Sequence, residues 1–157
     1  MNSANLAGPN EALTSANISY SQASEAIDSA IAFAHDNKLK LSIVVLDTGG
    51  HVVSSARMDG AGFVTIEVAR GKAFAVAATG GTSGDVLSRR YAENPMVWGN
   101  AASLGYCAPL LPARGGLPIY KNGVFIGAIA ASGAPSELDE LAILAGIAAI
   151  DATDAPQ

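Results

Sequence analysis

The first long pattern in the chain is helical. From residue 19 to residue 39, apolar residues recur every three or four positions and polar residues fill the other face, as in an amphipathic helix. The pattern predicts a helix of about 18 residues that ends near Asn37, a residue suited to a helix C-terminus. Its apolar face consists of Ala23, Ile27, Ala30, Ile31 and Ala34.

The pattern then changes to short apolar runs that are typical of strands. "LKLSIVVLD" and "HVVSSARM" are both rich in β-branched residues, and the turn "DTGG" separates them. Glycines supply the positive φ angles of a tight turn, so this segment predicts an antiparallel hairpin. Its second strand stops at Arg57-Met58-Asp59-Gly60, and no hairpin requires a segment of that composition.

Helical spacing returns over residues 63–79, with Gly71 as a weak point in its middle. Thr82 or Ser83 can cap a short third helix. Residues 91–113 are rich in proline and glycine, which predicts irregular or briefly helical structure.

The C-terminal third predicts a second hairpin and a last helix. In "GGLPIYKNGVFIGAIAASG" the pair Asn122-Gly123 marks the turn. "SELDELAILAGIAAI" follows, with Ser136 as the expected N-cap and acidic residues in the first turn. Helices and two hairpins in this order predict an α+β sandwich, an antiparallel sheet flanked by helices.

The predicted organisation is a flexible leader over residues 1–16, a single domain over 17–152 and a short tail over 153–157. The net charge of −5 and the absence of any basic run argue against nucleic acid as a partner. No apolar run approaches the roughly 18 residues of a membrane span, and the N-terminal stretch does not resemble a signal peptide. We therefore expect a cytoplasmic protein that does not associate with a membrane.

Three cations are candidate ligand contacts. Arg57 sits where a strand ends and a helix is about to begin, although it can also simply pair with Asp59. Lys72 has only small or apolar residues at the helical positions around it, so its ammonium must either reach solvent or meet an anion. Arg114 precedes Gly115 and Gly116; consecutive glycine N–H groups beside a guanidinium can hold a carboxylate, but such a pair is also ordinary in loops.

The two histidines, His35 and His51, lie in separate elements, and no His or Cys recurs at metal-ligand spacing. We therefore expect no structural metal site. His35 ends a helix, where it complements the helix dipole, and His51 opens a strand after a turn. Neither belongs to a local pattern of nucleophilic hydrolases.

Three stretches together resemble one family. These are "VVLDTGGHVVSSARMDGA", "KAFAVAA", and "GGLPIYKNGVFIGAIAASG" with Asp139 shortly after. They are similar to the GlcG/HbpS family, called the haem-degrading domain, which also occurs as the C-terminal domain of some corrinoid adenosyltransferases. The resemblance covers essentially residues 17–150. It implies a profilin-like α/β sandwich with a central antiparallel sheet, often assembled into dimers or larger rings.

Two functional hypotheses follow. The first is a cofactor-independent catabolic enzyme, such as a lyase or isomerase, that acts on an anionic acid, for example an aromatic one. In it, the acid is bound in a pocket of Arg57, Lys72 and the Arg114-Gly115-Gly116 turn, with Asp59 and His51 as further ligand contacts. Lys72, Glu67 or Asp139 moves protons.

The second hypothesis is a binding module for haem or another tetrapyrrole, or a redox sensor. Its propionates would meet the same cations, with an axial contact from His51 or His35. In either case we expect a homo-oligomer, because half of the residues are apolar and a small monomer does not easily hide so much apolar surface.

Overall fold

The computed structural model describes residues 8–106 and 108–157. Each helix in these residues is too short or too polar to span a bilayer. Residues 1–7 of the predicted leader lie outside the described residues, and Cys107 lies outside them as well. The elements are α1 (Tyr20–Asp36), β1 (Ser42–Leu46), β2 (Val52–Arg57), α2 (Val64–Ala78), α3 (Gly84–Glu93), α4 (Pro95–Ala102), β3 (Gly116–Lys121), β4 (Val124–Ser132) and α5 (Ser136–Ala149).

The four strands form one antiparallel sheet in the order β2-β1-β4-β3. Both hairpins are present, and β1 pairs with β4 in the middle of the sheet. The second hairpin turns at Asn122 and Gly123, which have φ angles of 51° and 76°, as a two-residue hairpin turn requires. This architecture confirms the predicted α+β sandwich.

Helices cover both faces of the sheet because β1 is apolar on both sides. Ile43 and Val45 pack into a core with α1 and α5. Val44 and Leu46 pack into a second core with α2. Alternate residues of a strand point to opposite faces, so an apolar run such as "IVVL" belongs in the centre of a three-layer fold.

The structure differs from the sequence expectation at the start of α5. Ser136 was expected as the N-cap, but Pro135 occupies that place and no side chain caps the helix. Asp139 accepts a hydrogen bond from the Ala134 amide at 3.1 Å instead. The acidic first turn therefore has a specific partner beyond the helix dipole.

Gly71 is not a weak point of α2. It is buried, and an added Cβ would lie 3.1 Å from the Leu111 side chain. The Leu111 amide also donates a hydrogen bond to the Gly71 carbonyl at 3.1 Å. The glycine lets the segment that precedes β3 lie directly on α2.

Close helix contact in the α1–α5 layer also depends on glycine, and this gives a prediction. A Cβ at Gly146 would lie 2.5 Å from the Ala26 carbonyl oxygen of α1, whereas a Cβ at Gly99 would meet nothing within 4 Å. We expect Gly146→Ala to lower the free energy of unfolding by about 1–3 kcal/mol, because the backbone of α1 must move away. Gly99→Ala, the matched control, should be neutral or stabilising by up to about 1 kcal/mol. Urea unfolding measures both, and equal stability of the two variants would contradict the packing account.

Candidate functional site

The segment that follows β2 fits around the side chain of Lys40. Gly60 has a φ angle of 82°, and a Cβ there would lie 2.9 Å from Lys40 Cδ and 3.0 Å from Lys40 Nζ. The φ angle is the reason for glycine, since other residues disfavour it; the Lys40 side chain lies in the space that a Cβ would take. The Arg57–Gly60 turn and Lys40 therefore form one surface.

Met58 holds this turn in place. Its backbone amide donates to the Leu41 carbonyl at 2.9 Å. Its Sδ atom accepts a hydrogen bond from the Leu41 amide at 3.4 Å. The side chain also packs against the core around α1, so the position of the turn is fixed by both backbone and side chain.

The turn forms one wall of a groove of about 490 Å³, a volume within the usual range of about 300–1,000 Å³ for ligand pockets. The other walls come from the end of α1 and from the residues that connect it to β1. The lining residues are Ile31, His35, Lys38, Leu39, Lys40, Arg57, Met58 and Asp59.

The groove combines an apolar floor with a cationic rim. Ile31, Leu39 and Met58 are partly buried against the core. The side chains of Lys38, Lys40 and Arg57 outnumber the single carboxylate of the lining, Asp59. In a protein whose net charge is −5, such a surface attracts anions locally.

The end of α1 brings His35 to this groove. His35 lies in the last turn and is solvent-exposed. Asn37 closes the helix by donating its side-chain amide to the Phe33 carbonyl at 2.8 Å. Lys38 then takes a left-handed φ of 57°, which turns the chain from the helix toward β1.

Lys72 lies outside the groove. Its side chain extends from α2 and is buried against the sheet and α5. Its Nζ atom is 3.1 Å from Asp139 Oδ2 and donates to the Ala131 carbonyl at 3.1 Å. The Lys72 side chain is 8% exposed and that of Asp139 is 2% exposed. The anion that Lys72 meets in this structure is therefore a side chain of the same chain.

The Asp139 carboxyl group experiences opposing influences. Burial raises its pKa, and this is the largest effect. The Lys72 ammonium and the hydrogen bond from the Ala134 amide act to lower it. The net direction is upward, because desolvation disfavours the charged form more than these partners stabilise it.

Gly115 and Gly116 lie against the Lys72 side chain and backbone. Gly115 has a φ angle of 104°, and a Cβ there would be 2.9 Å from Lys72 Nζ. A Cβ at Gly116 would be 3.0 Å from the Lys72 carbonyl oxygen. The glycine pair allows the start of β3 to close over the buried ion pair.

Arg114 contacts two carboxylates of α5. Its Nε atom is 3.2 Å from Glu140 Oε2 and its Nη1 atom is 3.3 Å from Glu137 Oε1. The hydrogen bond to Glu140 is the largest of the effects that raise the pKa of Arg114. In this structure Arg114 fastens the loop before β3 to the side of α5.

The remaining candidates lie apart from these groups. His51 follows the β1–β2 turn, with its Nδ1 atom 3.3 Å from Asp47 Oδ1 and its side chain 77% exposed. Glu67 is exposed in the first turn of α2. Neither side chain lines the groove.

The structure thus divides the predicted site residues into separate groups. Arg57 and Asp59 line the groove, together with His35 of the haem hypothesis. Lys72, Asp139 and the two glycines form the buried cluster. The sequence did not single out Lys38 and Lys40; the signal available was the alternation of "NKLKL" directly after a helix.

No group of three or more His, Cys, Asp or Glu side chains that could hold a metal ion occurs among residues 8–106 and 108–157.

A family model identifies the chain: the sequence model of "Haem degrading protein HbpS-like" matches residues 18–148. The chain therefore belongs to the HbpS-like family. No curated protein matches this chain closely enough to count as a relative.

Solved structures agree with this fold. The crystal structure of HbpS is 30% identical, with a TM-score of 0.75, and the match covers 90% of this chain and 96% of that one; a double mutant of Streptomyces reticuli HbpS matches with the same identity and TM-score. The PduOC:haem complex is 23% identical, with a TM-score of 0.78 and coverage of 88% and 99%. Klebsiella pneumoniae ORFY is 22% identical, with a TM-score of 0.77 and coverage of 90% and 96%. At these last two identities the likeness concerns the fold alone.

The buried ion pair generates a stability prediction. We expect Lys72→Met to lower the free energy of unfolding by about 3–5 kcal/mol near neutral pH, because the Asp139 carboxylate loses its counter-ion. A carboxyl group whose pKa is raised in the folded state stabilises that state most at acidic pH, and this advantage is lost as pH rises through the raised pKa. Without Lys72 the pKa of Asp139 rises further, so the defect of the variant should shrink as pH falls. Urea unfolding over a pH series measures it.

The double variant Lys72→Met/Asp139→Leu is the control for this experiment. It removes both charges and should recover most of the loss, since a buried pair replaced by apolar residues is often near neutral. A defect of Lys72→Met that is absent at neutral pH, or that does not change with pH, would contradict the account.

Proposed function

We propose that this protein is a binding module for haem or a related tetrapyrrole, held in the groove between α1 and the Arg57–Gly60 turn. The observation that carries the proposal is the composition of that groove. An apolar floor, three cations and one histidine line the same cavity. The family description, haem degrading protein HbpS-like, and the haem complex of the PduOC relative support the same ligand class.

The donor set fits such a ligand. A tetrapyrrole with two propionates is a flat apolar ring that carries two carboxylates, and Lys38, Lys40 and Arg57 supply three cations for them. Ile31 and Leu39 supply apolar contact surface for the ring. The His35 imidazole can ligate iron. Haem, when bound, would supply an iron centre that can accept or release an electron.

Asp59 makes the charge of the groove unequal from one side to the other. It is the one carboxylate among the lining residues, and it repels a ligand carboxylate placed beside it. The propionates are therefore expected nearer to Lys38 than to Asp59. The apolar edge of the ring is then left to face Met58.

A second candidate function is the small-molecule enzyme that acts on an anionic acid. The observation that favours it is the Lys72–Asp139 pair. The Nζ atom of Lys72 lies 3.1 Å from Oδ2 of Asp139, and the pKa of the Asp139 carboxyl group is raised. Perturbed, paired groups of this kind are typical of active sites. The acid would then have to bind near Gly115, where Arg114 already contacts Glu137 and Glu140.

We also propose that the protein is a homo-oligomer. Several large apolar side chains are more than half exposed in the single chain, among them Phe63 at 81% and Met96 at 76%. Exposed apolar surface of this kind marks association sites.

Titration with ferric haem tests the proposed function. We expect the Soret absorbance to rise until one haem is bound per chain. We expect His35→Ala to change the position and intensity of the Soret band, because the imidazole ligand is lost. His51→Ala is the matched control, since this exposed histidine lies outside the groove, and its spectra should equal those of the native chain. No stoichiometric Soret band, or an equal effect of both substitutions, would refute haem binding through His35. Binding of a simple aromatic carboxylate in a melting assay, without haem binding, would favour the acid-binding enzyme instead.

A further inference from the structure

Helix α4 is apolar and yet uncovered. Its sequence, PMVWGNAA, contains no charged residue, and none of its residues is buried. Met96 is 76% exposed and Val97 is 56% exposed. A helix of this composition normally buries its surface, and among the described residues nothing covers the side of α4 that carries Met96 and Val97.

The uncovered surface continues beyond the helix. Leu104, just after α4, is 70% exposed, and Tyr91 of the adjoining α3 is 42% exposed. Trp98 is half-buried and packs inward against the α2 core, which leaves its neighbours Met96 and Val97 facing outward. The surface made of Tyr91, Met96, Val97 and Leu104 is called the α4 face below.

The charges around the α4 face indicate what covers it. The charged residues of the segment 84–106 are Asp85, Arg89, Arg90 and Glu93, two of each sign. The excess negative charge of the protein, −5 in total, therefore lies elsewhere. Two copies of this chain repel each other over most of their surface, but they can meet here without like-charge repulsion.

The same charges disfavour other occupants. A basic or acidic protein finds no charge of opposite sign in excess on this face. A helix that binds a membrane surface usually carries Lys or Arg along its polar side, and α4 has none. A face that is apolar and flanked by equal numbers of both signs meets the electrostatic condition for a two-fold interface, in which the same patch lies on both sides.

We propose that the α4 face packs against the α4 face of a second copy across a two-fold axis. This rests on the homo-oligomer proposed above and names the surface that forms it. The face belongs to the layer of α2, α3 and α4. The groove belongs to α1, β2 and their connections. Each copy of such a dimer therefore keeps its groove open, and ligand stoichiometry stays at one per chain.

Trp98, the single tryptophan of the chain, is half-buried beside the α4 face, so its emission responds to water reaching the exposed part of its ring. In a dilution series we expect its emission to shift to longer wavelength, as α4 becomes exposed to water. Sedimentation should show the assembly dissociating to the 15.8 kDa chain over the same concentration range.

Met96→Glu should shift the sedimentation equilibrium to the single chain at concentrations where the native protein is assembled. The circular dichroism spectrum should not change, since Met96 is 76% exposed in the single chain. Leu141→Glu is the matched control: Leu141 is 47% exposed on α5, in the other layer, and this variant should assemble like the native protein.

Three results would overturn the proposal in distinguishable ways. A native protein that sediments only as the single chain at micromolar concentration refutes the homo-oligomer itself. An assembly that persists in Met96→Glu, or that is lost in Leu141→Glu, refutes the α4 face but leaves the homo-oligomer intact. A single chain whose Trp98 emission shifts to shorter wavelength on addition of phosphatidylglycerol vesicles would assign the face to a membrane surface.

Discussion

The ion pair between Lys72 and Asp139 joins the two helical layers of this protein. Lys72 belongs to α2 on one side of the sheet, and Asp139 belongs to α5 on the other. They meet past the end of β4, where Lys72 also bonds the Ala131 carbonyl. A buried charge without a partner is strongly destabilising, so each helix fixes the position of the other. The glycines at the start of β3 leave room for this contact.

The sequence predicted most of the fold because local patterns specify it. Residues 43–46 of β1 are a continuous apolar run, the turn at Asn122-Gly123 uses residues that tolerate positive φ, and Ser83, one of the two expected caps, caps α3. The apolar run in β1 also indicates that both faces of the sheet are covered. The N-cap of α5 was wrongly assigned to Ser136: Pro135 takes that place, and the Ala134 amide before it donates to the Asp139 side chain.

The site was only partly predictable, because its members come together from distant parts of the chain. Lys72 was expected either to reach solvent or to meet an anion, and the anion, Asp139, lies 67 residues later. Nothing local distinguished Asp139 from the other acids of "SELDELA", and only the family resemblance named it. Similarly, the Arg57–Gly60 turn was recognised as unusual, whereas its counterpart, Lys40, was not singled out within the predicted strand run "LKLSIVVLD". Only the fold places Lys40 across Gly60.

Membership of the HbpS-like family and the composition of the groove support the same ligand class. The family match covers residues 18–148, and the groove lies entirely within that range. Two of the three cations that sequence reasoning gave to an acid ligand, Lys72 and Arg114, contact carboxylates of α5 in this structure; the third, Arg57, lines the groove. The cations at the groove show no such internal ion pair among the described residues. They therefore remain free to meet the carboxylates of a ligand, which is the physical basis of the proposed function.

The location of the ligand is the central claim, and nuclear magnetic resonance tests it most directly. Ferric protoporphyrin IX broadens the signals of nearby amides through its unpaired electrons, and the diamagnetic zinc form serves as the control. We expect selective broadening of the amides of residues 31–40 and 57–60, which surround the groove, with residues 47–51 and 114–116 unaffected. Broadening centred on residues 114–116, or weak broadening spread evenly over the protein, would contradict the account.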